Sequence, residues 1–205
     1  MGIMKHHATQ ALFKYWTRKR GRRRAPVRSD IDPADIRHIL ADTFILTADF
    51  VNEIRVRLAG TRICALFARE IKGEAFEDLW SEVSREQVRE LVAAVVDENI
   101  GVIAGVHGRT EQDAEIDLEL LLLPLAFDGR TRVRAVGALA PVATPIWLGI
   151  RPVAALELGT FRHVGAPHSI ARDAQFGPAG EEPRLRHGFR VYSGGLTSPT
   201  SKLSG

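Results

Sequence analysis

Three stretches decide how this chain folds: IGVIAGVHGRT (residues 100–110), AEIDLELLLLPLA (114–126) and TRVRAVGALAPV (131–142). All three are rich in β-branched and apolar residues, and Asp128-Gly129 between the last two is a tight-turn signal, so the spacing predicts an antiparallel meander. In the middle stretch Glu115, Asp117 and Glu119 alternate with Ile116, Leu118 and Leu120. That alternation gives its first half one wet face and one dry face. From Leu120 to Leu123 the strand is apolar on both faces. Something must therefore cover the outer side of the sheet there, either a helix of this chain or the same surface of a second subunit.

Upstream, SREQVRELVAAVVDEN (84–99) places Val88, Leu91, Val92, Val95 and Val96 on one helical stripe. Ser84 followed by Gln87 reads as a capping box that would start that helix. Before it come short, aromatic-rich pieces: TRICALFARE (61–70) reads as a short helix, and EAFEDLW (74–80) as a helical turn with Phe76, Leu79 and Trp80 apolar. Earlier still, DTFILTAD (42–49) and EIRVRLAG (53–60) are two β-prone runs separated by Phe50, Val51 and Asn52, the pattern of a hairpin. In the second run Ile54, Val56 and Leu58 alternate with Arg55 and Arg57. In SDIDPADIRHIL (29–40), Asp32 can cap a short helix that opens on Pro33 and turns Ile36, Ile39 and Leu40 inward.

The chain opens on another amphipathic segment, in which Ala8, Ala11, Leu12, Tyr15 and Trp16 share one narrow stripe. It runs into RKRGRRRAP (18–26), where Gly21 and Pro26 stop the helix and the arginines predict a hydrated, mobile link. Residues 1–28 hold nine lysines or arginines and no acid, while the rest of the chain carries 19 bases against 25 acids. A basic arm on an acidic body points to a local electrostatic role and does not suit a protein that grips nucleic acid across a whole face. At the other end, PVAALELGTFRHV (152–164) reads as one additional ordered element. From residue 165 to 205 the Gly, Pro, Ser and Arg content predicts a largely disordered tail. The domain reading is a helix and basic connector over 1–28, one α+β domain over 29–150, the extra element at 151–164, and the tail.

Two strands, short helices, one longer helix and a three-strand meander is the element order of a PAS domain, and the local sequence resembles a family of small bacterial single-PAS proteins. The resemblance rests on ATQALFKYW (8–16), RSDIDPADIRHILADTFIL (28–46), RLAGTRICALFAREIKGEAFEDLW (57–80), LELLLLPL (118–125), and GALAP (137–141) followed by PIWLGI (145–150). RHGFRVYSGG (186–195) resembles the family's closing segment. The resemblance implies a five-stranded antiparallel sheet with helices on one face, a pocket between the helical cluster and the sheet, and a sensory or regulatory role. It also implies action as a homodimer and through protein contacts, with a histidine kinase among the candidate partners.

Candidate sites follow from these placements. Phe67, Phe76, Trp80 and His107 are the expected pocket lining for a small molecule of unknown identity. Leu12, Tyr15, Trp16, Leu121 and Leu123 form the expected interaction surface. Arg20, Arg22, Arg23 and Arg24 are the basic segment, and Arg20 with Arg24 supplies an Arg-x-x-x-Arg pair without the remaining pattern of a PilZ-type nucleotide site. These arginines motivate the alternative reading, a basic-armed regulator that binds nucleic acid or a nucleotide.

No cofactor is expected. GTRICALFARE (60–70) departs from the light-sensing Asn-Cys-Arg-Phe-Leu-Gln motif at Ile63 and Ala65, and its Cys64 lies too early in the fold, so Cys64 reads as a core residue. The histidines His6, His7, His38, His107, His163, His168 and His187 include none on the longer helix, so no haem or metal ligand is assigned. His6 and His7, being adjacent, do not share a helix face. The acids 115, 117 and 119 read as a solvated strand face and not as paired catalytic carboxylates, and no hydrolase, phosphate-loop or metalloprotease motif occurs. The expectation is a non-enzyme. One cysteine gives no internal disulfide, and no apolar run approaches the roughly 20 residues of a membrane span, so a cytoplasmic location is expected.

Overall fold

A computed structural model describes residues 4–48, 53–127, 129, 133–165, 185–186 and 189–190. The described order begins with α1 (His7–Arg20) and three 3-10 turns at Arg28–Asp30, Pro33–Ile36 and Leu40–Asp42. It continues through β1 (Thr43–Ala48), β2 (Ile54–Ala59), α2 (Thr61–Phe67), a 3-10 turn (Phe76–Leu79) and α3 (Glu82–Glu98). Then follow β3 (Gly101–Thr110), β4 (Glu115–Pro124), β5 (Val133–Pro141) and β6 (Val153–Val164). A first compact unit runs over Met1–His168 and a second over Ser169–Gly205. In the second, β7 (Leu185–Arg186) pairs with β8 (Phe189–Arg190). The expectation of a disordered tail otherwise falls outside the described residues, as do Asp128 of the expected β4–β5 turn and the hairpin residues Phe50, Val51 and Asn52.

Strands β1 to β6 make one antiparallel sheet in the order β2-β1-β5-β4-β3-β6. The fold class is α+β, with the expected meander β3-β4-β5 and hairpin β1-β2 in place. The sheet has one strand more than the expected five, because the ordered element after residue 150 pairs along the whole of β3, from Thr110↔Val153 to Gly101↔Val164. A free edge of β3 would leave a row of backbone donors and acceptors open to pairing, and β6 closes it.

Period-2 alternation splits the sheet into two cores. On the inner face Phe44, Leu46, Val106, Leu118, Leu120 and Leu122 pack with Ile63, Leu66, Trp80, Val88, Leu91 and Val95 from the helical elements. On the outer face Ile103, Leu121, Leu123, Val136 and Ala138 pack with Ala8, Leu12, Tyr15 and Trp16 of α1. The run Leu120–Leu123 thus has its two covers, α3 and its neighbours on one side and α1 on the other.

Two local expectations are corrected. The long helix begins at Glu82 with Ser81 at its N-cap, one turn earlier than the Ser84-Gln87 box implied. Ser84 is instead buried inside the helix, where its hydroxyl accepts the backbone N–H of Leu158 at 3.0 Å, filling one open position on the edge of β6. The basic link after α1 is tied down. Arg23 donates to the Lys19 carbonyl at 2.8 Å and to the Asp30 carboxylate at 2.8 Å, and the Ala126 N–H reaches the Pro26 carbonyl at 2.8 Å.

Candidate functional site

The outer face is built from the sequence upward by three polar contacts that fix where α1 lies. Trp16, fully buried, donates its indole N–H to the Pro124 carbonyl at 2.8 Å. Tyr15 takes the Asp32 N–H on its hydroxyl at 2.8 Å. At the start of the helix, Glu119 of β4 accepts the backbone N–H of Lys5 at 2.7 Å and of His6 at 3.0 Å, and also the hydroxyl of Thr9. The N–H of His6, the N-cap, is a donor that a helix start leaves without an intrahelical partner, and a carboxylate is the acceptor the helix dipole favours there. Glu119 is 6% exposed. The expectation that it belongs to a solvated acidic row is therefore corrected: Glu115 and Asp117 are exposed, and Glu119 is the buried anchor of α1. Alternation alone could not separate it from them, because what buries it is a helix more than 100 residues away in sequence.

Leu12, Tyr15, Trp16, Leu121 and Leu123, expected as an interaction surface, lie together in this one outer cluster and are buried inside the chain. All five are covered within the chain, so what α1 leaves to solvent is its own far side.

On the inner face Phe67, Phe76 and Trp80 are buried in the core. Phe76 stacks on Phe44 with centroids 5.6 Å apart and meets Trp80 edge-on at 5.9 Å, so these rings fill much of the space between helices and sheet. A cleft of about 240 Å³ remains beside them, lined by Ile54, Phe76, Val88 and Val92, with Glu53, Glu77 and Arg89 at its polar side. Arg89 is paired with Glu77 at 2.7 Å, which holds its guanidinium above the ordinary arginine range. Trp80 Nε1 is buried with no hydrogen-bond partner among the described residues. His107 is not part of this group. It lies on the outer side of β3, exposed, with Nδ1 at 2.7 Å from Asp117, because odd-numbered residues of β3 point away from the helices.

The four basic-segment arginines divide. Arg20 stacks over Trp16 at 4.9 Å and donates to the Gly165 carbonyl at 2.6 Å, and Arg23 is held as described above. Arg22 and Arg24 are exposed and make no side-chain contact of this kind among the described residues. Cys64 sits half-buried in α2, with Sγ 3.6 Å from the Glu70 carboxylate, and burial pushes its thiol up from the ordinary range. Such a thiol is a poor nucleophile. Among the described residues no group of three or more metal-ligating side chains is present, and no helix is long and apolar enough to cross a membrane.

Comparison with known proteins places this architecture. The PAS-domain family profile matches residues 4–140. This chain belongs to the PAS-domain family. Solved structures similar to it include the LOV protein of Rhodobacter sphaeroides, at 14% identity over 52% of this chain and 61% of that one, with a TM-score of 0.41. A PAS domain of a Colwellia psychrerythraea protein matches at 14% identity over 54% of this chain and 97% of that one, with a TM-score of 0.39. An RNA-binding light-oxygen-voltage receptor matches at 14% identity over 57% of this chain and 34% of that one, with a TM-score of 0.41. No curated protein matches the sequence. The family match makes the class a PAS-type sensory domain, consistent with a regulatory role.

Proposed function

We propose that this chain is a non-catalytic regulatory module of bacterial signal transduction, located in the cytoplasm, that works by protein contacts made through α1 and the sheet's outer face. Homodimerisation and docking on a signalling protein such as a histidine kinase are its modes of action. The observation that carries this reading is the way α1 is held: one buried carboxylate, Glu119, and two aromatic contacts fasten a helix over an apolar sheet face. A helix held so is an element whose docked and undocked states a partner can bias, provided the partner binds the two states with different affinity.

The cleft of about 240 Å³ beside Phe76 supports a second input, a ligand smaller than those that fill ordinary small-molecule pockets of about 300–1,000 Å³. Trp80, whose buried indole N–H has no partner among the described residues, does not line that cleft. Nucleic-acid binding through the arginines is the weaker reading, since Arg20 and Arg23 are already engaged within the chain.

Native mass spectrometry of the full chain, beside the same sample denatured, tests the proposal. A dimer mass that is lost, or turns into larger aggregates, when residues 1–20 are removed supports the role of α1. An unchanged oligomeric state and solubility after that truncation overturns it. An extra mass released on denaturation identifies a ligand. Steeply salt-dependent nucleic-acid binding, abolished by alanine at Arg22 and Arg24, would move the function to the alternative.

A further inference from the structure

One side of α1 is zipped to the 3-10 turns that precede β1, through residues four apart on the helix. Lys19 pairs with Asp35 at 3.1 Å, and Tyr15 takes the Asp32 N–H. The same row ends at His7, whose ring centroid lies 5.6 Å from that of His38, with the planes tilted by 58°. Both imidazoles are exposed, and neither has a hydrogen-bond or ion-pair partner among the described residues. His6 is engaged elsewhere, its Nδ1 accepting the Ala8 N–H at 3.1 Å.

We propose that His7 and His38 together bind a first-row divalent transition ion of the Zn²⁺, Ni²⁺ or Cu²⁺ class, clasping the first turn of α1 to the segment before β1. Neutral imidazole is the ligand these ions share. With metal–nitrogen bonds of about 2.0–2.1 Å and a tetrahedral angle, two ring centroids come to lie roughly 5 Å apart, close to the 5.6 Å between His7 and His38. No group of three or more ligating side chains exists among the described residues, so two imidazoles are the protein's share and water completes the shell. The two histidines meet only in the folded chain. An ion bound by both therefore favours the state in which α1 is docked.

Titration of the full chain with zinc chloride, followed by calorimetry in a non-chelating buffer, tests the clasp. The expected result is one saturable site per chain that weakens at least tenfold in His7→Ala and equally in His38→Ala, with His107→Ala and His163→Ala within twofold of the parent. Zinc should raise the melting temperature of the parent and of neither clasp variant. Both positions are exposed, and far-ultraviolet circular dichroism verifies that the variants remain folded. Absence of saturable binding, or binding that survives either substitution at His7 or His38, overturns the proposal.

Discussion

The carboxylate of Glu119, in the middle of the sheet, accepts the backbone N–H of Lys5 at 2.7 Å across a separation of 114 residues. With the N–H of His6 and the hydroxyl of Thr9 it satisfies three donors at the start of α1. Hydrogen bonds to a charged, buried acceptor are worth more than neutral ones. Glu119→Ala should therefore cost about 2–3 kcal/mol in urea-induced unfolding. Amide hydrogen exchange should quicken in α1 well before it does in β4. Equal exchange in both elements would mean that the helix and sheet open as one unit and that Glu119 is not its latch.

Asp42 and Arg62 form a second asymmetric pair. Asp42 is 1% exposed and is bound by Nε and by an Nη of Arg62, both at 2.6 Å, while the arginine side chain is half-exposed. Removing the cation strands a carboxylate in the interior, whereas water can still solvate the guanidinium. Arg62→Ala should destabilise by about 3 kcal/mol, and adding Asp42→Asn to that variant should restore part of the loss. Chemical denaturation of the single and double variants measures both. No recovery in the double variant would show that the effect is packing and not charge.

Two glycines give opposite expectations. A Cβ on Gly60 would lie 2.1 Å from the Leu40 carbonyl oxygen and 2.4 Å from two Ala41 backbone atoms, where no side chain can move aside. Gly60→Ala should therefore reduce the thermal midpoint sharply or prevent folding. At Gly105 the nearest atom to a new Cβ is 3.9 Å away, so Gly105→Ala should be neutral or mildly stabilising, by about 0.5 kcal/mol, through the lower entropy of the unfolded chain. Paired melting curves decide both at once.

Lys19 and Asp35 give a pH dependence. The hydrogen bond from Lys19 holds the Asp35 carboxyl below its ordinary value of 3.8. A carboxyl depressed on folding adds stability that is present above the unfolded value and is lost as pH falls through the folded one. In low salt the parent should therefore lose stability below about pH 4 more steeply than Asp35→Asn. Both groups lie at the surface, so the difference should shrink in high salt. Coincident acid limbs for the two proteins at low ionic strength would show that the pair adds nothing.

Much of the fold was legible from period alone. Alternation in Glu115–Leu118 and the stripe Val88, Leu91, Val92 and Val95 respond to burial on one side, and burial on one side is what a strand face or helix face records locally. The doubly apolar run Leu120–Leu123 further required a cover over the outer face, and the stripe Ala8, Leu12, Tyr15 and Trp16 supplied it. The candidate site was less legible. Residues 107 and 119 both lie at outward positions of neighbouring strands, yet His107 is wet and Glu119 is buried. The difference is only where α1 begins.

What the sequence by itself determined is therefore the set of elements, their apolar faces and the PAS-type order, because each follows from interactions within a few residues. What only the tertiary structure decided is which polar groups those faces enclose. The tie of Glu119 to residues 5–9, the hydroxyl of Ser84 on the edge of β6 and the meeting of His7 with His38 all join segments far apart in the chain. No local pattern encodes such meetings, since a carboxylate, hydroxyl or imidazole on a strand or helix looks the same in sequence whether the space before it holds water or another element.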